Sequence, residues 1–284
     1  AFVLKQVYEN RRASNAFGHL VWMLNEIWPT VGWGSLEYGA PPGFSPGQLT
    51  GGRWKPLHYF YKRSLMTDVM ATCGTQAYNH HTSPPTPGGQ TLCYLSNHRA
   101  GEPFNGTVTL TAYDHLGDGK GRVILQRKMS LPAGPGAIEW FDLGSGRMLP
   151  PGNLTTTVSV VTDEVGTVVS EHMVQTVTPE HLCVPPAKLS LKILGARKLD
   201  EVDGGTIDIV VTSDRVALWV TLTSLAQGHF SDNAFFMQPG EKVIQFIPFS
   251  TATTRASNLH ALVETLRVED LSMYRSLAAC NDHK

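Results

Sequence analysis

Three tryptophans, Trp22, Trp28 and Trp33, fall within a dozen residues, interleaved with Asn25 and Glu26 and followed by Glu37. An indole face packs well on the apolar C–H face of a pyranose ring, and its N–H supplies one donor. An amide such as Asn25 can present its polar atoms to a sugar hydroxyl, and a carboxylate such as Glu26 accepts a hydrogen bond. Trp22 leads this set of candidate binding residues, with Asn25, Glu26 and Trp33 beside it. Each has a packing alternative. For Trp22 it is an ordinary core tryptophan, and for Asn25 it is loop packing. For Glu26 it is a bond to loop backbone or a pair with a basic side chain. Glu37 reads as structural.

Other reactive side chains carry less. His80-His81 lies between Cys73 and Cys93, but no second ligand pair stands at metal-binding spacing, so it reads as a surface loop. His19 and His58 read as packed or capping residues. Asp232-Asn233 reads as a turn fixed by side-chain-to-backbone bonds. There is no phosphate-binding glycine loop, nucleophile elbow or dinucleotide fingerprint. No catalytic residue, metal ligand or cofactor is assigned.

The elements that must position Trp22 and its neighbours can be read in order. Residues 1–16 form a helix ending near Ser14-Asn15, with Arg11-Arg12 on a solvated face. The apolar run 17–25 is the length of a buried strand. A long loop over 26–52 follows, rich in Pro and Gly at residues 40–51, and then a helix over 53–67 with Pro56 near its first turn. Aromatics at the end of a buried parallel strand are how α/β enzymes line a pocket. Beyond that helix the pattern becomes all-β. Thr107–Tyr113, Arg122–Arg127, Thr155–Val161 and Val168–Val174 alternate or are β-branched, with Gly and Pro between them. A linker around 178–186 precedes a second β-rich unit, with strands over 206–211, 217–222, 242–246 and 259–264. Both units read as sandwiches.

The charge balance, 23 basic against 24 acidic residues, gives no electrostatic case for a nucleic acid or an anionic membrane. No apolar run is long enough to span a bilayer. The length allows two or three domains. The chain opens at Ala1 inside a helix-spaced pattern, which reads as a piece of a longer polypeptide. Four cysteines permit two disulfides without requiring them. Two sequons, Asn105-Gly-Thr107 and Asn153-Leu-Thr155, would accept N-linked glycans.

The segments Val21–Pro29, Trp33–Gly39 and Gly52–Phe60, with Gly228–Met237, Lys242–Phe249 and Leu266–Tyr274 far downstream, resemble glycoside hydrolase family 2, nearest its β-mannosidase branch. The resemblance implies the last strand and helix of a (β/α)8 TIM barrel over residues 1–70. Immunoglobulin-like β-sandwich domains would follow over 71–180 and 181–284. It also implies a retaining exo-β-mannosidase acting on terminal β-mannose of oligosaccharides. Both catalytic glutamates of that mechanism would lie upstream of this chain. The substrate would be a β-mannoside oligosaccharide and the partner an upstream polypeptide carrying the rest of the barrel, in a lysosomal or secretory lumen. Within the family pattern Trp22 faces the terminal sugar, Glu26 replaces a usual aspartate, residues 40–51 are an insertion, and Trp54 packs helix on barrel. Other family 2 β-glycosidases, or a non-catalytic glycan- or partner-binding chain, are the alternatives.

Overall fold

The computed structural model describes residues 2–15, 19–27, 32–38, 52–74, 92–134, 136–144, 147–174, 176–194, 205–249, 255–274 and 280. The chain divides into two compact units. One comprises Ala1–Leu20, Phe60–Pro185 and Leu277–Lys284; the other comprises Val21–Tyr59 and Pro186–Ser276.

In the first unit, helix α1 runs over Phe2–Ala13. It stops where Asn15 takes φ of 50°, a left-handed geometry that asparagine tolerates at a helix end. Helical spacing puts Lys5, Tyr8 and Glu9 on its buried side. Arg11 is exposed, but Arg12 is not on a solvated face as its sequence suggests. Its guanidinium donates to Thr67 O at 2.5 Å, Asp68 O at 3.1 Å and Ser96 Oγ at 3.3 Å. The fork of donors fits this cluster of acceptors, so the charge serves to dock the helix.

Beside that docking point lies a buried polar cluster. Glu9 Oε1 is 2.6 Å from Lys5 Nζ, accepts from Ser64 Oγ at 3.2 Å, and lies 3.6 Å from His172 Nδ1. Tyr94 donates its hydroxyl to Glu9 O at 2.7 Å. Burial opposes ionisation of Glu9, but Lys5 and His172 outweigh it and hold the carboxyl below its ordinary value. Burial pushes His172 down, against the partial support of Glu9.

The strands of this unit are β1 (Val69–Gly74), β2 (Leu92–Asn97), β3 (Phe104–Asp114), β4 (Arg122–Leu131), β5 (Ala137–Asp142), β6 (Thr155–Asp163) and β7 (Val168–Val174). They make two antiparallel sheets, ordered β1-β2-β5 and β4-β3-β6-β7. Inward residues of both, among them Ala71, Leu95, Val108, Leu110, Phe141 and Val161, form one core. Cys73 and Cys93, opposite each other on β1 and β2, are disulfide-bonded, and Cys183 is bonded to Cys280. Asn105 is exposed on β3, and Asn153 is partly exposed just before β6.

The second unit contains β8 (Leu189–Ile193), β9 (Ile207–Ser213), β10 (Ala217–Thr223), β11 (Gly228–Phe230), β12 (Phe235–Met237), β13 (Gly240–Pro248) and β14 (Arg267–Glu269). Its sheets run β11-β13-β9-β8 and β12-β10-β14, around a core that includes Ile209, Val211, Val220, Phe235, Ile244 and Phe246. The Asp232-Asn233 turn forms as read: Asn233 bonds both polar groups of Leu222, and Asn233 N donates to Asp232 Oδ1 at 2.9 Å.

Two further readings of the sequence need correction. Residues 259–264 are not a strand but part of helix α3 (Arg255–Thr265). Leu259, Leu262 and Leu266 recur at helical spacing and face the core, which a six-residue window cannot separate from a strand. The run 17–25 is not a strand over its described residues 19–25. Its one pairing is an isolated parallel bridge from Asn25 to Leu36. A barrel strand takes its hydrogen bonds from neighbouring strands, and among the described residues no strand pairs with it. The described fold is therefore mostly β. The helix read over 53–67 forms as α2 (Pro56–Phe60), opening on Pro56 and passing into a wide π-type turn, Tyr61–Leu65. No described helix is long and apolar enough to cross a membrane.

Candidate functional site

The aromatic segment lies in the second unit, where three short stretches hold one another by backbone bonds. Leu36 N and Ser35 N donate to Leu24 O at 3.0 and 2.8 Å, and Glu26 N donates to Leu36 O at 3.0 Å. Glu37 N donates to Arg53 O at 2.9 Å, and Lys55 N to Ser35 O at 2.9 Å. The glycines flanking Trp33 permit the approach. A Cβ on Gly34 would sit 2.6 Å from Glu26 N, and one on Gly32 would sit 2.4 Å from Glu26 Oε2.

Glu26 is 2% exposed and forms an ion pair with Lys55 through Oε1. Lys55 Nζ also donates to Gly32 O at 3.3 Å. Glu26 Oε2 is buried and accepts no hydrogen bond among the described residues. Asn25 is exposed and donates from Nδ2 to Glu26 O at 3.1 Å. Trp22 is 84% exposed and Trp33 65%. Asn25, Glu26 and Trp33 thus belong to one hydrogen-bonded loop. Among the described residues no hydrogen bond or ring contact joins Trp22 to them. Trp28 and His80-His81 lie outside the described residues.

Beneath this loop, Ser35 Oγ donates to Leu24 O at 2.8 Å and lies 3.0 Å from His58 Nδ1. The hydroxyl has one proton, so His58 Nδ1 is the donor in that second bond. Burial keeps His58 below its ordinary pKa, and so neutral at pH 7. His19 packs edge-on against Tyr8 with ring centroids 4.3 Å apart.

Lys55 and Arg53 are the residues the sequence did not single out. Arg53 holds Glu37 with two bonds of 2.6 and 2.5 Å and donates to Ser224 O at 2.5 Å. Trp54 stacks on His229 with centroids 4.2 Å apart, and so packs on β11 of this unit. These side chains, with Thr223 and Arg267, line a hollow of about 450 Å³. The signal for them was alternation of charge and aromatic in Arg53-Trp54-Lys55. Their partners lie too far along the chain to be named from sequence. Among the described residues no three His, Cys, Asp or Glu side chains converge as metal ligands.

Residues 190–273 match the Ig-fold domain of mannosidases. Over 49 residues, 17% of this chain and 4% of the relative's length, the chain is 43% identical to the β-mannosidase of Mus musculus. It matches that of Capra hircus at the same identity and extent. Among solved structures, the β-D-mannosidase of Dictyoglomus thermophilum superposes with a TM-score of 0.59 at 20% identity. That match covers 94% of this chain and 28% of the other. The exo-chitosanase of Amycolatopsis orientalis gives 0.56 at 14%, covering 95% of this chain and 32% of that one. These two likenesses are of fold. The resemblance to the C-terminal portion of family 2 β-mannosidases is thus carried by domain, local sequence and fold together. The chain spans about a third or less of the structural relatives' length.

Proposed function

We propose that this chain is the C-terminal part of a retaining exo-β-mannosidase that releases terminal β-D-mannose from oligosaccharides. The observation that carries the reading is the local identity with mammalian β-mannosidases. In such an enzyme the two catalytic glutamates stand outside this chain, and an upstream polypeptide completes the barrel. Trp22, Asn25 and Trp33 then supply sugar contacts from the edge of the pocket. Their exposure supports this reading, since an indole at 84% accessibility has a face free for a ring. Glu26, already paired with Lys55, shapes the loop and offers only its second oxygen. The two disulfides and the two sequons, Asn105 and Asn153, support an oxidising lysosomal or secretory lumen with N-glycans on the first unit.

The test is hydrolysis of 4-nitrophenyl β-D-mannoside and of 4-nitrophenyl β-D-glucosaminide by the protein as isolated, alongside its intact mass. Mannoside turnover in the presence of a larger companion polypeptide is the expected result. Preference for the glucosaminide would shift the reading to another family 2 β-glycosidase. No turnover in a preparation that contains the companion polypeptide would remove the enzymatic reading.

A further inference from the structure

A second hollow, of about 240 Å³, lies on the second unit and is lined by Trp219, Thr221, Glu269, Asp270, Leu271 and Tyr274. Strand β10 is bulged where Trp219 sits: its pairing with β12 jumps from Ala217–Met237 to Val220–Phe235. Trp219 takes φ of 53°, a left-handed geometry that costs a non-glycine residue on the order of 1 kcal/mol. The bulge re-aims the indole, so that it borders the hollow. The end of β14 supplies two adjacent carboxylates. Glu269 Oε2 accepts the Tyr274 hydroxyl at 2.5 Å, and Tyr274 is otherwise 73% exposed.

Asp270 is the informative group. It is 2% exposed. Its Oδ1 accepts from Ser272 Oγ at 2.7 Å, which fixes the start of the turn Leu271–Tyr274. Its Oδ2 is buried and accepts from no donor among the described residues. A buried carboxylate oxygen left without a donor is costly, and the cost falls when a cation arrives. Among the described residues that line it there is no Lys, Arg or His. Two carboxylates, two aromatic rings and two hydroxyls, with no base among the described lining residues, make an electronegative recess with apolar walls. Carboxylates attract a cation, and aromatic faces attract it further while covering its hydrocarbon frame. A neutral polyol would satisfy the oxygen but would leave the charge uncompensated.

We propose that this recess binds a primary organic ammonium ion, its N–H groups toward Asp270 and Glu269 and its carbon frame against Trp219 and Tyr274. Burial raises the Asp270 pKa, against hydrogen bonds from the Ser272 side chain and the Ser272 and Met273 backbone, and a cation beside it would lower it. The inference does not rest on the glycosidase reading. It uses only residues of this unit.

Saturation-transfer difference NMR on the purified chain tests it, with cyclohexylammonium against cyclohexanol, and glucose as a neutral sugar. Saturable transfer to cyclohexylammonium alone is expected, with a Kd on the order of 1 mM. Asp270→Asn should weaken it by at least about tenfold, the scale of one charge-assisted hydrogen bond. If that variant does not fold, Tyr274→Ala serves instead. Its side chain is mostly solvent-exposed, so folding should survive while affinity falls. Equal transfer to cyclohexanol or glucose, no saturable transfer at all, or unchanged affinity in folded variants would overturn the proposal.

Discussion

At the scale of single residues, Glu26 shows how a side chain acquires its role from a distant partner. Its carboxylate is buried under the Gly32–Ser35 turn, and Lys55 compensates its charge. Lys55→Met leaves that charge without a cation. Breaking a fully buried pair costs about 3–5 kcal/mol, but the lysine side chain is 26% exposed and water shares its work, so a loss of about 2 kcal/mol is expected. Adding Glu26→Gln should recover part of it. Urea unfolding of the two single variants and the double measures both effects, and additive losses would show that the pair does not act as a unit. Trp22 gives the opposite expectation. At 84% exposure, Trp22→Ala should change stability by less than about 0.5 kcal/mol. In the assembled enzyme the same change should lower kcat/KM on a β-mannoside by about tenfold, the scale of one lost pocket contact. A large stability loss with unchanged kinetics would make Trp22 a packing residue.

At the scale of elements, α1 is held to the first unit by a polar cluster, and the cluster titrates. His172 has a depressed pKa in the folded protein and an ordinary one, about 6.5, when unfolded. Its contribution is therefore complete above pH 6.5 and is lost as pH falls below that value. Glu9, held low by Lys5 and His172, acts in the same direction at lower pH, since its contribution is lost as the carboxyl protonates. His115 adds to the slope: Nδ1 donates to Cys183 O at 2.8 Å, and burial keeps the ring neutral. Unfolding free energy measured in urea should fall from pH 7.5 to pH 5, and His172→Gln should flatten the upper part of that fall. A pH-independent free energy over this range would show that the cluster contributes nothing to linkage. The same elements show what the sequence disclosed. Alternating runs such as 107–113 became strands because their pattern and their burial agree. The short strands β11, β12 and β14 have no pattern of their own and exist through their partners. Residues 19–25 carried an apolar signal, but a strand needs a neighbour as well as a pattern. Arg12 looked solvated because its acceptors, carbonyls 52 to 56 residues away, leave no trace in a local window.

At the scale of the whole molecule, connectivity decides which disulfide matters more. Cys73–Cys93 closes 20 residues, and Cys183–Cys280 closes 97. Loop-closure entropy alone gives about 3 kcal/mol to the first and about 5 kcal/mol to the second. That ranking assumes that every enclosed residue unfolds. Pro186–Ser276, however, belongs to the second unit, which has a core of its own. If the first unit unfolds while the second stays folded, the flexible part of the larger loop shrinks to a few residues beside each cysteine. The cross-link then restricts little that the folded unit had not already fixed. The expected order is therefore reversed: Cys73→Ser/Cys93→Ser should lower the stability of the first unit more than Cys183→Ser/Cys280→Ser. Differential scanning calorimetry of the two double variants separates the cases. A larger loss from the Cys183–Cys280 pair, within a single merged transition, would mean that both cores melt as one cooperative body.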